Sequence, residues 1–233
     1  MSHAVLFTQC MQRDFVAHVS EHVALPNRLH VGRREAIRLL GRKPRSGPFG
    51  QLMSWAREQD IDDITLVHVR DWHDPTGPNA AETATHFERF GPHCIAGTPG
   101  AQLVLNLDEG VEMRSNEHYI DATGLNDFHN TGLQELLERI HARAGGDLRV
   151  GVVGVWTEAK ISYLLYELAT RCGFSHLATC SALTASSSRT QHFNALDQIQ
   201  RLLGVRVLNS VGEFAAWVRP DGAALRAELP APA

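Results

Sequence analysis

Cysteine is scarce and scattered. The 233-residue chain has four, Cys10, Cys94, Cys172 and Cys180, and no two form a C-x-x-C pair. Nothing here suggests a disulfide framework, and a reduced, cytoplasmic protein is the expectation. No apolar run approaches the roughly 20 residues that a membrane helix needs. No secretory leader is visible ahead of the first strand-like run. A formal net charge of −4 gives no reason to expect nucleic acid or an anionic membrane as partner. There is no internal repeat and no dividing linker, so one domain is expected over 1–220, with a flexible Ala- and Pro-rich tail over 221–233. There is also no Gly-rich phosphate cradle and no G-x-S-x-G elbow, so no nucleotide cofactor is expected. Ser186-Ser-Ser188 reads as cap and turn chemistry.

What the chain does have is an ordinary globular balance, 43% hydrophobic and 21% charged, and 13 histidines, enough to make a metal site worth seeking. Short apolar runs alternate with helical patterns, which argues for βαβ units and a parallel sheet. Strands are expected at Ala4 to Thr8, Ile64 to Val69, Val111 to Met113 (the weakest), Leu148 to Val155, Leu177 to Cys180 and Val205 to Leu208. Leu133, Leu136, Leu137 and Ile140 make one helical stripe; Ile161, Leu164, Leu165, Leu168 and Cys172 make another, stopped by Gly173. Ser188 and Gln191 read as a capping box before a helix carrying Phe193, Leu196, Ile199 and Leu203. Residues 31–40 and 49–59 are two further helices. Asp71 to Gln102 reads as one long Pro- and Gly-rich loop, of the kind that is usually functional.

In an open parallel sheet, ligands sit beyond the carboxyl ends of the strands. Cys10, Asp71, Arg114 and Lys160 each follow the end of an expected strand, which places them on one rim. Asp71 and His73 are two apart and point to one side of an extended chain. With His93 they form a carboxylate and two imidazoles, a donor set for Zn, Fe or Mn. The competing reading is three loop residues that cap turns.

Longer motifs resemble a known family. Asp71-Trp-His73 followed by His93-Cys94-Ile-Ala-Gly97-Thr98-Pro99-Gly100, the opening Phe7-Thr-Gln-Cys10-Met-Gln-Arg-Asp14-Phe15, and Gly154-Val-Trp-Thr157-Glu-Ala-Lys160 resemble the isochorismatase-like cysteine hydrolases, nearest the nicotinamidase branch. The resemblance covers about 4–217. It implies a three-layer α/β sandwich with a mostly parallel sheet of about six strands, one divalent metal on Asp71, His73 and His93, and a homo-oligomer. It implies ligand contacts at Phe15, Trp156 and Thr157, and a cis peptide at Val155–Trp156. His192 matches a family histidine with a structural role.

The same resemblance implies a Cys–Asp–Lys triad that this chain does not have. Lys160 stands at the nucleophile's position, and Cys10 stands at that of the general-base aspartate. Arg114 is the best match for the family lysine. Glu158 and Asp14 match acidic positions that relatives already have, so neither restores the base. Three functions follow as alternatives. The first is a catalytically altered member that binds a small molecule. The second is an active amide hydrolase with Cys10 as relocated nucleophile, its thiol activated by Lys160 and the helix N-terminus. The third is a structural or partner-binding paralogue, its pocket filled by Trp156.

Overall fold

Strand β1, Ala4–Gln9, is buried along its whole length, as a central strand of a parallel sheet must be when helices cover both faces. A computed structural model describes residues 3–43, 46–107, 114–144, 148–219 and 221. Among these, the other strands are β2 Ile64–Asp71, β3 Glu117–Ala122, β4 Arg149–Val155, β5 Leu177–Ala185 and β6 Arg206–Leu208. They form one all-parallel six-stranded sheet in the order β3-β2-β1-β4-β5-β6. The chain winds outward from β1 to β3 and then returns to the centre at β4. The order therefore reverses between β1 and β4, where doubly wound sheets open a crevice.

Eight helices accompany the sheet among the described residues: α1 Arg13–Val16, α2 Arg33–Leu40, α3 Pro48–Glu58, α4 Ala80–Phe90, α5 Leu133–Ala144, α6 Ser162–Thr170, α7 Arg189–Leu203 and α8 Val211–Val218. Two cores result. Leu39, Phe49, Leu52, Trp55, Phe214 and Val218 pack on one face of the sheet against Leu6, Leu66 and Val153. The leucines of α5 and α6, with Leu196 and Ile199 of α7, pack on the other against Val5, Phe7, Val67 and Val152.

Two expectations change. The third strand is Glu117–Ala122, and the weak candidate at 111–113 lies outside the described residues, as does nearly all of the tail. The stretch from Asp71 to Gln102 is not one loop, because α4 occupies its middle. Its signal is in the sequence: Asn79 before, Gly91 after, and Thr83, His86, Phe87 and Phe90 at helical spacing. Ser188 caps α7 by accepting the Gln191 N–H, while the full reciprocal box forms one helix later, between Ser210 and Glu213.

Two local features shape the rim. Gly154, at φ +121°, brings β4 against β1 so closely that a Cβ there would collide with the Gln9 backbone. Strand β5 bulges: Val152 pairs with Thr179, but Gly154 pairs with Thr184. The guanidinium of Arg38 donates to the carbonyls of Ser181, Ala182 and Thr184 (3.3, 3.0 and 2.5 Å), satisfying the groups the bulge frees.

Candidate functional site

Strand β2 ends on Asp71, and Gln12 fixes that end from across the rim. Its amide donates to the Asp71 carbonyl at 2.7 Å and to the Ala101 carbonyl at 2.9 Å, while its oxygen accepts the Asp71 N–H at 2.7 Å. Two residues on, His73 exchanges backbone hydrogen bonds with the segment after His93: its N–H reaches the Cys94 carbonyl, and its own carbonyl accepts the Ala96 N–H. Asp14 ties the same segment down by accepting the Cys94 N–H at 2.7 Å. Asp14 is thus a positioning residue of this rim. His93 donates from Nδ1 to the Gly91 carbonyl at 2.7 Å, and its Nε2 lies 3.7 Å from Asp71 Oδ2. His73 Nε2 lies 4.0 Å from the same oxygen.

A fourth residue joins this group. His86 of α4 stacks on His73, ring centroids 4.7 Å apart. One ligand atom from each of Asp71, His73, His86 and His93 lies within 4.8 Å of the others, and all four residues are buried. Neither nitrogen of His73 nor Nε2 of His93 has a hydrogen-bond partner. Buried imidazole nitrogens without partners, converging on a carboxylate oxygen, are a donor set that could hold a metal ion. Burial pushes His73 and His86 down to about 4, so both are neutral and ready to ligate near pH 7. The residues fit a divalent ion. His86 lies on α4, within a stretch whose Gly and Pro content reads as loop, so no motif marks it.

Lys160 opens the helical segment after β4. The Val155–Trp156 peptide is cis, and a wide turn with Ile161 N–H bonded to the Trp156 carbonyl leads into α6. The Lys160 side chain is 3% exposed, and its ammonium sits 3.0 Å from Asp71 Oδ1, 2.6 Å from Asp127 Oδ1 and 2.8 Å from the Gly124 carbonyl. Burial alone would lower its pKa, but Asp127 and Asp71 outweigh burial and hold it charged. For Asp71, burial works against ionisation, but the Lys160 ammonium, with His93 and His73, holds the carboxyl well below the usual range. One ammonium against two carboxylates leaves a negative charge over, beside three imidazoles.

Lys160 is buried rather than solvent-facing, and its close partners are not the Cys10 thiol that the second alternative needs. Lys160 turns to the carboxylates. The Cys10 thiol donates to Asp71 Oδ1 at 3.5 Å and accepts from the Gln9 amide at 3.3 Å. Cys10 is 2% exposed. Burial, and then the Asp71 charge, push its thiol far up, against the smaller pull of Lys160. Arg114 does not join the site either. It precedes β3 and so lies at the amino edge of the sheet, donating to the carbonyls of Arg57 and Gln59 (2.7 and 3.0 Å). Asp127, from the segment after β3, meets Lys160 in its place; no local pattern marks that residue.

Phe15 and Trp156 form an aromatic wall beside the cluster. Their centroids are 5.1 Å apart, and Phe15 is 5.5 Å from the His93 ring. The Trp156 indole N–H is buried without an acceptor. Thr157 faces away: its hydroxyl is engaged with the Ala185 carbonyl at 3.1 Å and His192 Nδ1 at 2.8 Å. Glu158 accepts from Ser186 at 2.6 Å. No described helix is long and apolar enough to cross a membrane.

A family model described as the isochorismatase domain matches residues 47–210. Among solved structures, an isochorismatase-like hydrolase from Alkaliphilus metalliredigens superposes with a TM-score of 0.66 at 22% identity, covering 91% of this chain and 97% of that one. The nicotinamidase of Bacillus subtilis gives 0.63 at 21% identity, covering 88% and 98%. A pyrazinamidase of Pyrococcus horikoshii in complex with zinc gives 0.61 at 20%, covering 89% and 99%. No curated protein sequence matches this one.

Proposed function

The chain belongs to the isochorismatase domain family, and from that premise we propose that it is a metal-holding, small-molecule-binding member whose chemistry is not cysteine-dependent amide hydrolysis. The observation that carries this reading is the Lys160 ammonium, fixed between Asp71 and Asp127 at 3.0 and 2.6 Å at the helix opening where the family resemblance puts a nucleophile. An ammonium held charged by two carboxylates has no lone pair with which to attack a carbonyl.

Asp71, His73, His86 and His93 hold the metal in this reading, and three imidazoles with one carboxylate suit Zn, Fe or Mn. When bound, the ion supplies a Lewis-acid contact for a lone pair on the ligand. The chain's own groups supply the rest of the recognition. Phe15 and Trp156 offer ring faces and edges to a planar molecule, and the unpartnered indole N–H of Trp156 offers it a hydrogen bond.

A second reading keeps hydrolysis, with Cys10 as nucleophile. In its favour, a thiol, an ammonium and a carboxylate are all present, on Cys10, Lys160 and Asp127, in positions exchanged relative to the family pattern. Against it stand the burial of the thiol and its hydrogen bond toward Asp71. Ammonia release from nicotinamide under multiple-turnover conditions separates the two, with none expected above background. Release that disappears in Cys10→Ala would favour the second reading. Release that survives it would place the active site elsewhere.

A further inference from the structure

The carboxylate of Asp71 is divided. Oδ1 faces the Lys160 ammonium at 3.0 Å. Oδ2 faces the imidazoles, 3.7 Å from His93 Nε2 and 4.0 Å from His73 Nε2. Asp71 is the sole carboxylate in the group of four. Asp127, the other acid nearby, spends Oδ1 on Lys160 at 2.6 Å and is not among the four.

We propose that Lys160 sets the affinity and metal preference of the Asp71, His73, His86 and His93 centre by holding one Asp71 oxygen, which it shares with the Cys10 thiol. This rests on the reading of that cluster as a metal site. A dication among the four ligand atoms and the ammonium draw on one carboxylate. In a site this buried, the like charges are poorly screened from one another. The ammonium therefore weakens every dication, but not equally. Ions that rely on carboxylate oxygen, such as Mn²⁺, lose most; ions content with imidazole, such as Zn²⁺, lose least. The same ammonium offsets one of the two buried acid charges when no ion is bound. A neutral residue at 160 would remove both effects.

Calorimetric titration of chelator-treated protein with zinc chloride and with manganese chloride tests this. Wild type is expected to take up one zinc ion. Lys160→Met is expected to bind zinc more tightly, by a factor on the order of the 10- to 100-fold seen for groups behind a metal ligand but as a gain, because the charge removed repels the ion, and to gain more for manganese than for zinc. Asp127→Asn removes Lys160's other carboxylate, drives the ammonium toward Asp71, and is expected to weaken both ions several-fold. Zinc affinity equal in wild type and Lys160→Met overturns the proposal, as does a gain for manganese no larger than that for zinc. Should Lys160→Met fail to fold by circular dichroism, Asp127→Asn decides alone, and unchanged or tighter zinc binding there overturns it. Absence of zinc uptake by all three folded proteins would remove the metal reading itself, a different result from uptake that ignores residue 160.

Discussion

Lys160 and Asp127 form a buried ion pair, Nζ to Oδ1 at 2.6 Å, between the helix opening after β4 and the segment after β3. Neither side chain exposes more than 3% of its surface. Breaking such a pair from one side strands the other charge. Lys160→Met is expected to cost about 3–5 kcal/mol, measured by urea unfolding of metal-free protein. Adding Asp127→Asn to it should recover part of that loss, because fewer acids then lie uncompensated. A loss below about 1 kcal/mol, or strict additivity of the two substitutions, would contradict the arrangement.

The four cysteines should differ sharply toward alkylation. Cys172 is half-buried, while Cys10, Cys94 and Cys180 are buried. Burial raises the thiol pKa of all four. Access then decides the order, and Cys172 should be modified first in native protein. Cys10 should react only at the rate of global or local opening. Mass spectrometry of each cysteine after timed iodoacetamide exposure checks this. Fast labelling of Cys10 would restore the relocated-nucleophile reading.

Acid should destabilise the metal-free protein well above the carboxylate range. Burial lowers the pKa of His73, His86 and His192 to about 4, against about 6.5 in the unfolded chain. The unfolded state therefore binds more protons as pH falls below about 6.5. The stability these neutral imidazoles represent is full above that pH and is lost as pH falls toward 4. The unfolding free energy from urea titration should drop between pH 7 and pH 4.5, by an amount on the order of 1 kcal/mol or more per histidine. His192→Gln should flatten part of the slope. A free energy constant over that window would show that these rings are not buried neutral.

Zinc should raise the melting temperature of the chelator-treated protein in a concentration-dependent way, since an ion bound only by the native state stabilises it by mass action. His86→Ala should shrink the rise at a given zinc concentration. Its effect separates a four-residue cluster from the three-residue set that the sequence motif suggests. A shift identical to wild type would place His86 outside the centre.

Gly154→Ala should disrupt the rim. A Cβ there meets the Gln9 backbone, and the φ of +121° is foreign to alanine. The expected cost is about 3 kcal/mol or more, the sum of overpacking and backbone strain. Denaturant unfolding reads it directly.

The strands and most helices were legible because their signals are local. The apolar runs within Ala4–Gln9 and Arg149–Val155 belong to a parallel sheet covered on both faces, and the leucine stripe of α5 has one buried side. Asp71, His73 and His93 stood out as a donor set because they sit in recognisable motifs. Helix α4 was lost to its Gly- and Pro-rich surroundings, although its own periodicity was present, and His86 went with it. Arg114 matches the family lysine only if a strand ends just before it. The strand actually starts at Glu117, which puts Arg114 at the opposite edge of the sheet.

The residue types at 10 and 160 are matters of sequence alone: a thiol and an ammonium where the family resemblance calls for an acid and a thiol. What those groups become is decided by tertiary structure. Asp127 has no motif. It reaches Lys160 because the crossover after β3 and the return of the chain to β4 bring two segments 33 residues apart into one buried space. There the local dielectric is low, and the partner an ammonium finds determines its chemistry. Lys160 found Asp71 and Asp127, Cys10 found Asp71 and Gln9, and so a pairing that looked reactive along the chain is, in space, an ion pair beside a protonated thiol.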